Sequence, residues 1–129
     1  MKPARIVLSR KAGFDLQAVS HTLNGLPAQS VARPGAWGNP FTIAEVMAET
    51  GLGKEAAQAE AVARHARWMN GEISAIRRPP TRDAIRAALG GKNLACWCRA
   101  GTPCHVHTLL ALANSDASMI KTPSLGTEF

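Results

Sequence analysis

No apolar run in this chain approaches the roughly 20 residues that a membrane-spanning helix needs, which points away from a helical membrane protein. The opening stretch MKPARIVLSRKAG holds an apolar segment too short for a signal peptide, and polar residues follow it, so a cytoplasmic (cytosolic) protein is expected. Cysteine is scarce: there are three, an odd number, all inside residues 93–107. That argues against a disulfide framework and for thiols or a metal site. No internal repeat is visible, which removes solenoids and propellers. None of G-x-x-x-x-G-K-[ST], G-x-G-x-x-G or H-E-x-x-H occurs, so the common phosphate, dinucleotide and zinc-protease signatures are missing.

What is present is an ordinary core composition with a basic excess. Hydrophobic residues make up 46% and charged residues only 19%, so most of the chain reads as folded rather than disordered. Fifteen lysines and arginines against nine acidic residues leave a formal charge of +6, which favours phosphate-bearing partners, either nucleotides or nucleic acid. The charges are scattered, and the densest run, IRRPPTR, holds only three arginines, so a merely solvated basic surface fits equally well.

Periodicity and punctuation divide the chain into alternating strands and helices. Residues 5–9 (RIVLS) read as a strand and 14–25 as a short helix with Leu16, Val19 and Leu23 on one stripe, stopped by Asn24-Gly25. Residues 28–32 suit a second strand, and 33–40 (RPGAWGNP) a loop. Thr42 opens a helix with Glu45 completing a capping box, and Gly51 closes it. The longest helix spans 54–71, with Ala61, His65 and Trp68 on its stripe; His65 there reads as a satisfied core histidine. Arg64 and Arg67 read as solvated. Thr81 caps a helix that ends at Gly90-Gly91. Residues 93–98 read as a buried strand, and 102–114 as a helix with Thr102 as its cap and Pro103 at its first position. The expected architecture is α/β: one small domain over 1–114, a central sheet with helices on both faces, Rossmann-like. Residues 115–129 read as a polar, flexible tail.

The stretch NLACWCRAGTPCHVH (93–107) holds all three cysteines and two of the four histidines. In a strand, Cys96 and Cys98 point one way and Trp97 the other. In the first turn of a helix, Cys104 would have its thiolate stabilised by free N–H groups and the dipole. His107, three residues on, then lies beside Cys104, while His105 turns away. Three readings stay open. Cys96, Cys98, Cys104 and one histidine can bind Zn2+ tetrahedrally, although C-x-C is a less usual spacing than C-x-x-C. Cys104 can be a nucleophile with His105 or His107 as its proton partner. Or the cysteines are small buried hydrophobes. TPCHVH resembles the P-C-x-x-C of zinc deaminases only weakly, since the matching H-x-E is absent.

The stretches VARPGAWGNPF and GKNLACWCRAGTPCHVHTLLALAN together resemble the family of the domain of unknown function DUF4326, known from bacteria and phages, over about residues 28 to 114. The resemblance implies one shared site for the two stretches and places His105 in it. It implies no reaction, since the family has none assigned. The chain departs from the family where His107 replaces a usual aspartate and where Ala32 replaces a glycine.

Within residues 33–41, Gly35 and Gly38 let a backbone approach a ligand. Arg33 offers a fork to phosphate or carboxylate. Trp37 can stack on a base, and Asn39 can read a base edge. A rigid turn anchored by buried Trp37 and Phe41 is the structural alternative. The expected function is therefore an enzyme on a nucleotide, nucleobase or related small molecule. Arg33, Trp37, Gly38 and Asn39 would bind the substrate, Cys104 and His105 would be catalytic, and Cys96, Cys98, Cys104 and His107 would be metal ligands. The alternative is a non-enzymatic nucleic-acid or nucleotide-binding module with structural cysteines or structural zinc.

Overall fold

The computed structural model describes residues 2–33, 35–99 and 101–114; the expected tail, 115–129, lies outside them. Among the described residues the order is β1 (Arg5–Val7), α1 (Leu16–Asn24), β2 (Ala28–Ser30), α2 (Ile43–Thr50), α3 (Lys54–Met69), α4 (Arg82–Leu89), β3 (Asn93–Cys96) and α5 (Val106–Asn114). The strands form one parallel sheet in the order β1-β3-β2. Val7 stands opposite Cys96, and Ser30 opposite Ala95. Parallel neighbours require crossovers. Here α1 carries the chain from β1 to β2, and α2, α3 and α4 lie between β2 and β3.

The last strand in sequence is thus the central one, and every residue of β3 is buried. Its side chains alternate between faces. Leu94 and Cys96 join Ile85, Leu89, Val106 and Leu109 in the main core under α4 and α5. Ala95 joins Ile6 and Ala28 on the other face, where Leu16 of α1 packs. Helices therefore cover both faces, and the chain is α/β. A third cluster, Val46, Ala57 and Ala61 with Phe41 and Ile43, binds α2 to α3.

The helix starts follow their capping residues. Asp15 accepts from Ala18 N–H, and Thr81 from Ala84 N–H. Thr42 and Glu45 form the full capping box, and Gly51 ends α2 with a positive φ of 75°. Arg64 and Arg67, expected to be solvated, pair instead with Glu60, and Arg64 also with Glu49 of α2.

Three expectations need correction. Strands expected at 5–9, 28–32 and 93–98 are shorter, with Cys98 beyond the end of β3. The stripe of α1 is not its anchor, because Val19 and Leu23 stay 39% and 52% exposed. A three-residue edge strand offers little apolar surface, so polar contacts hold the helix. Gln17 bonds both backbone groups of Ala28, and Ser20 Oγ donates to Leu26 O. Asn24 pairs amide to amide with the fully buried Asn93, which also accepts from Ala4 N–H and donates to Ser20. Finally, the last helix begins at Val106, not Thr102. Thr102 Oγ1 donates to Arg99 O and accepts from Gln58, and Gln58 also donates to the Pro103 carbonyl. These bonds hold 102–104 outside the helix.

Candidate metal centre

The carboxyl end of β3 delivers Cys96 to the main core, and the chain then turns outward through Trp97 and Cys98. That turn is held from a distance. The Arg5 guanidinium, on β1, donates to the carbonyls of Cys98 (2.6 Å), Arg99 and Thr102 (2.9 Å). Three carbonyls converging on one cation fix the path between Cys98 and Cys104.

Its result is a cluster of sulfurs. The Sγ atoms of Cys96, Cys98 and Cys104 all lie within 4.8 Å of one another, with Cys96 and Cys104 at 2.8 Å. Three sulfurs each 2.3 Å from one tetrahedral zinc ion would stand about 3.8 Å apart, so the cluster spans a metal site, with the Cys96–Cys104 pair about 1 Å too close and needing to open to share the ion. The three cysteines are free of disulfides, and soft thiolates are the donors that zinc or another thiophilic ion prefers. Together they can hold a metal ion.

The protons are unequally held. The Cys98 thiol lies well below the usual range, because its thiolate accepts from Cys104 and Cys96 and because Arg5 and His105 stand near, which outweighs its partial burial. Cys104 is pushed up by its bonds to Cys96 and Cys98 and by burial. Cys96 is pushed up as well: its bond to Cys104 pulls the other way, but the bond to Cys98 and burial prevail. Cys98 is only half-buried, whereas Cys104 is 1% exposed. Cys104 is therefore sealed beneath the start of α5, outside the helical first turn where the sequence set it.

The two histidines divide. His107 is exposed, with Nε2 3.4 Å from Arg5 Nη1, and the cluster of possible metal ligands does not include it. The helical spacing that favoured it fails because Cys104 precedes α5. His105 is buried, and its Nε2 lies 2.8 Å from the carbonyl of Val31. A carbonyl can only accept, so Nε2 carries the proton, and the Nδ1 lone pair faces Cys104 Sγ at 3.7 Å. Burial lowers the His105 pKa and keeps the ring neutral.

Behind His105 stands His65, its ring centroid 5.1 Å away in an edge-on contact. His65 is fully buried with no partner for either ring nitrogen among the described residues. Sequence reasoning took it for a satisfied core histidine; buried it is, satisfied it is not. Its pKa is lowered to about 3 by burial, with His105 and Arg77 adding to the shift.

Residues 33–41 fold over this centre. Arg33 Nη1 donates to the Asn39 carbonyl at 2.8 Å, and Gly38 O accepts from Arg77. A Cβ on Gly38 would meet the Arg33 backbone at 2.9 Å, so the turn needs glycine there. Asn39 is buried, and its amide donates to Ala61 O and accepts from Phe41 N–H, which pins the loop to α3. Trp37 packs half-buried against the main core. A cavity of about 250 Å³ opens between this loop and the sulfurs. Arg33, Asn39 and Phe41 line it together with Cys96, Cys98 and His105, and Gln58, Val62 and Trp97 line it as well. Trp37, Gly38 and Cys104 do not line it.

Arg5, His65, Gln58 and Trp97 were not among the residues the sequence singled out for the site. Only Trp97 carried a clue, sitting between two candidate ligands; the other three act through contacts that no local pattern encodes. The model of the family described as domain of unknown function (DUF4326) matches residues 20–115. No curated protein and no solved structure matches the chain.

Proposed function

This chain belongs to the DUF4326 family, and we propose that it is a small enzyme taking a nucleotide, nucleobase or related small molecule into the cleft over a zinc-thiolate centre. The observation that carries this reading is the single cavity lined at once by Arg33 and Phe41 of the loop and by Cys96, Cys98 and His105. Its place also supports the reading, because ligands of open α/β sheets bind beyond the carboxyl ends of strands, as in Rossmann-like folds. Cys96, Cys98 and Cys104 would hold the metal, which when bound supplies Lewis-acid polarisation of a ligand atom in the cleft. His105, with Nε2–H tied to Val31 O and Nδ1 turned to Cys104 Sγ, would take the proton that the Cys104 thiol gives up when the metal binds. Arg33, exposed and lining the cavity, offers its remaining N–H groups to a phosphate or carboxylate.

A second reading has one observation of its own. A nitrogen and a sulfur on one tetrahedral zinc stand about 3.6 Å apart, and His105 Nδ1 lies 3.7 Å from Cys104 Sγ. The cluster of sulfurs does not include His105, so its ring would have to move in to become a fourth ligand; the centre would then be closed and structural, and the protein a nucleotide or nucleic-acid binding module.

Elemental analysis of the purified protein should give one zinc per chain, and a nucleotide or nucleobase should raise its melting temperature. A folded, metal-free protein would overturn the metal centre. Cobalt in place of zinc separates the two readings. Absorption bands that shift on adding the ligand mean an open position, and bands that stay fixed mean closure by His105. Polymer affinity that collapses with salt, without any nucleotide response, would replace the enzyme with the module.

A further inference from the structure

We propose that Trp97 is the platform on which the planar ring of a nucleobase stacks in the cleft; this rests on the reading above and names the part of the ligand that the cleft recognises. Of the three tryptophans, Trp68 is 1% exposed with its indole N–H bonded to Arg77 O, and Trp37 packs on the core without lining the cavity. Trp97 is 44% exposed and lines the cavity. A large aromatic face left open beside a cleft is surface that a ligand can cover.

The indole is held as a platform would be. Arg10 places its guanidinium 4.3 Å from the ring centroid, a cation–π contact that fixes the ring. Arg10 is not among the residues that line the cavity. Trp97 also stands between Cys96 and Cys98 in sequence. Cys96 and Cys98, its neighbours in the chain, line the same cavity, so a ring stacked on it shares the cleft with two of the candidate metal ligands. At about 250 Å³ the cavity lies just below the ~300–1,000 Å³ of most ligand pockets. That suits a group about the size of one base inside the cleft.

The experiment titrates adenosine, guanosine, cytidine and uridine, and their monophosphates, into the metal-loaded full chain, followed by tryptophan fluorescence and calorimetry. Binding should quench the fluorescence. Trp97→Ala should weaken binding about ten-fold or more with the metal content unchanged. Trp97→Phe should keep affinity within about three-fold, since phenylalanine still stacks, while the quench disappears. Undiminished binding by Trp97→Ala overturns the platform and leaves the cleft reading standing. Loss of metal from Trp97→Ala overturns it too, by making Trp97 a support of the sulfurs. A wild-type chain that binds none of these ligands overturns the platform and the nucleotide reading together.

Discussion

At the scale of single residues, His65 makes the sharpest prediction. An orphaned buried imidazole costs stability, and it also sets a pH dependence. The folded chain holds His65 near a pKa of about 3 against an ordinary 6.5, so the unfolded chain binds the proton first. Its contribution is fully present above pH 6.5 and is lost as the pH falls toward 3. By linkage this is about 2 kcal/mol at pH 5, measurable as a lower urea midpoint than at pH 7.5. His65→Phe should remove that part of the pH dependence and leave neutral-pH stability unchanged or raised. Gly38→Ala should act on the loop instead. Its new methyl has no room against the Arg33 backbone, and a loss of about 1–3 kcal/mol is expected in the same assay. The sequence announced Gly38, because glycine between turn residues has a local meaning. It could not announce the empty hydrogen bonds of His65, which depend on what three other elements bring near.

At the scale of elements, capping was the most legible feature. Thr42, Glu45, Gly51 and Thr81 mark the ends of α2 and α4 where the structure has them. Thr81→Ala should cost about 1 kcal/mol in thermal unfolding. The same logic misplaced the start of α5, since Thr102 and Pro103 carry a cap's residue types but are held by Gln58 and the 99–102 turn. The helical pairing of Cys104 with His107 failed along with it, because it assumed a helix that already includes Cys104, while Cys104 itself keeps its place among the sulfurs. Between β1 and the loop after β3, Arg5 was invisible for a different reason: its partners lie 93 to 97 residues away. Arg5→Ala should loosen the Cys98 path and weaken metal binding by about 10–100-fold, read by competition with a chromophoric chelator.

At the scale of the whole molecule, sequence alternation was enough for an α/β chain with both faces covered, whereas the pairing of the two motifs came from the family resemblance, and in the structure both line one cavity. Strand order was not legible, since three-residue strands carry no register in their pattern. Order nonetheless governs chemistry here: β3 is central, so Cys96 at its end sits amid the core and not at an edge. Chelating the metal should lower the melting temperature. In the stripped protein, mass spectrometry should find Cys98 alkylated first and Cys104 last, following their exposure and proton affinity.

The grip of Arg5 on the 98–102 turn also sets a timetable. Closing a contact across so much intervening chain costs more entropy than closing the short stretch between the cysteines, so the tight arrangement of the sulfurs is expected to follow the docking of β1 beside β3. Metal capture is then a late event of maturation. A fragment starting after β1 would contain every thiol and still lack the scaffold that assembles them.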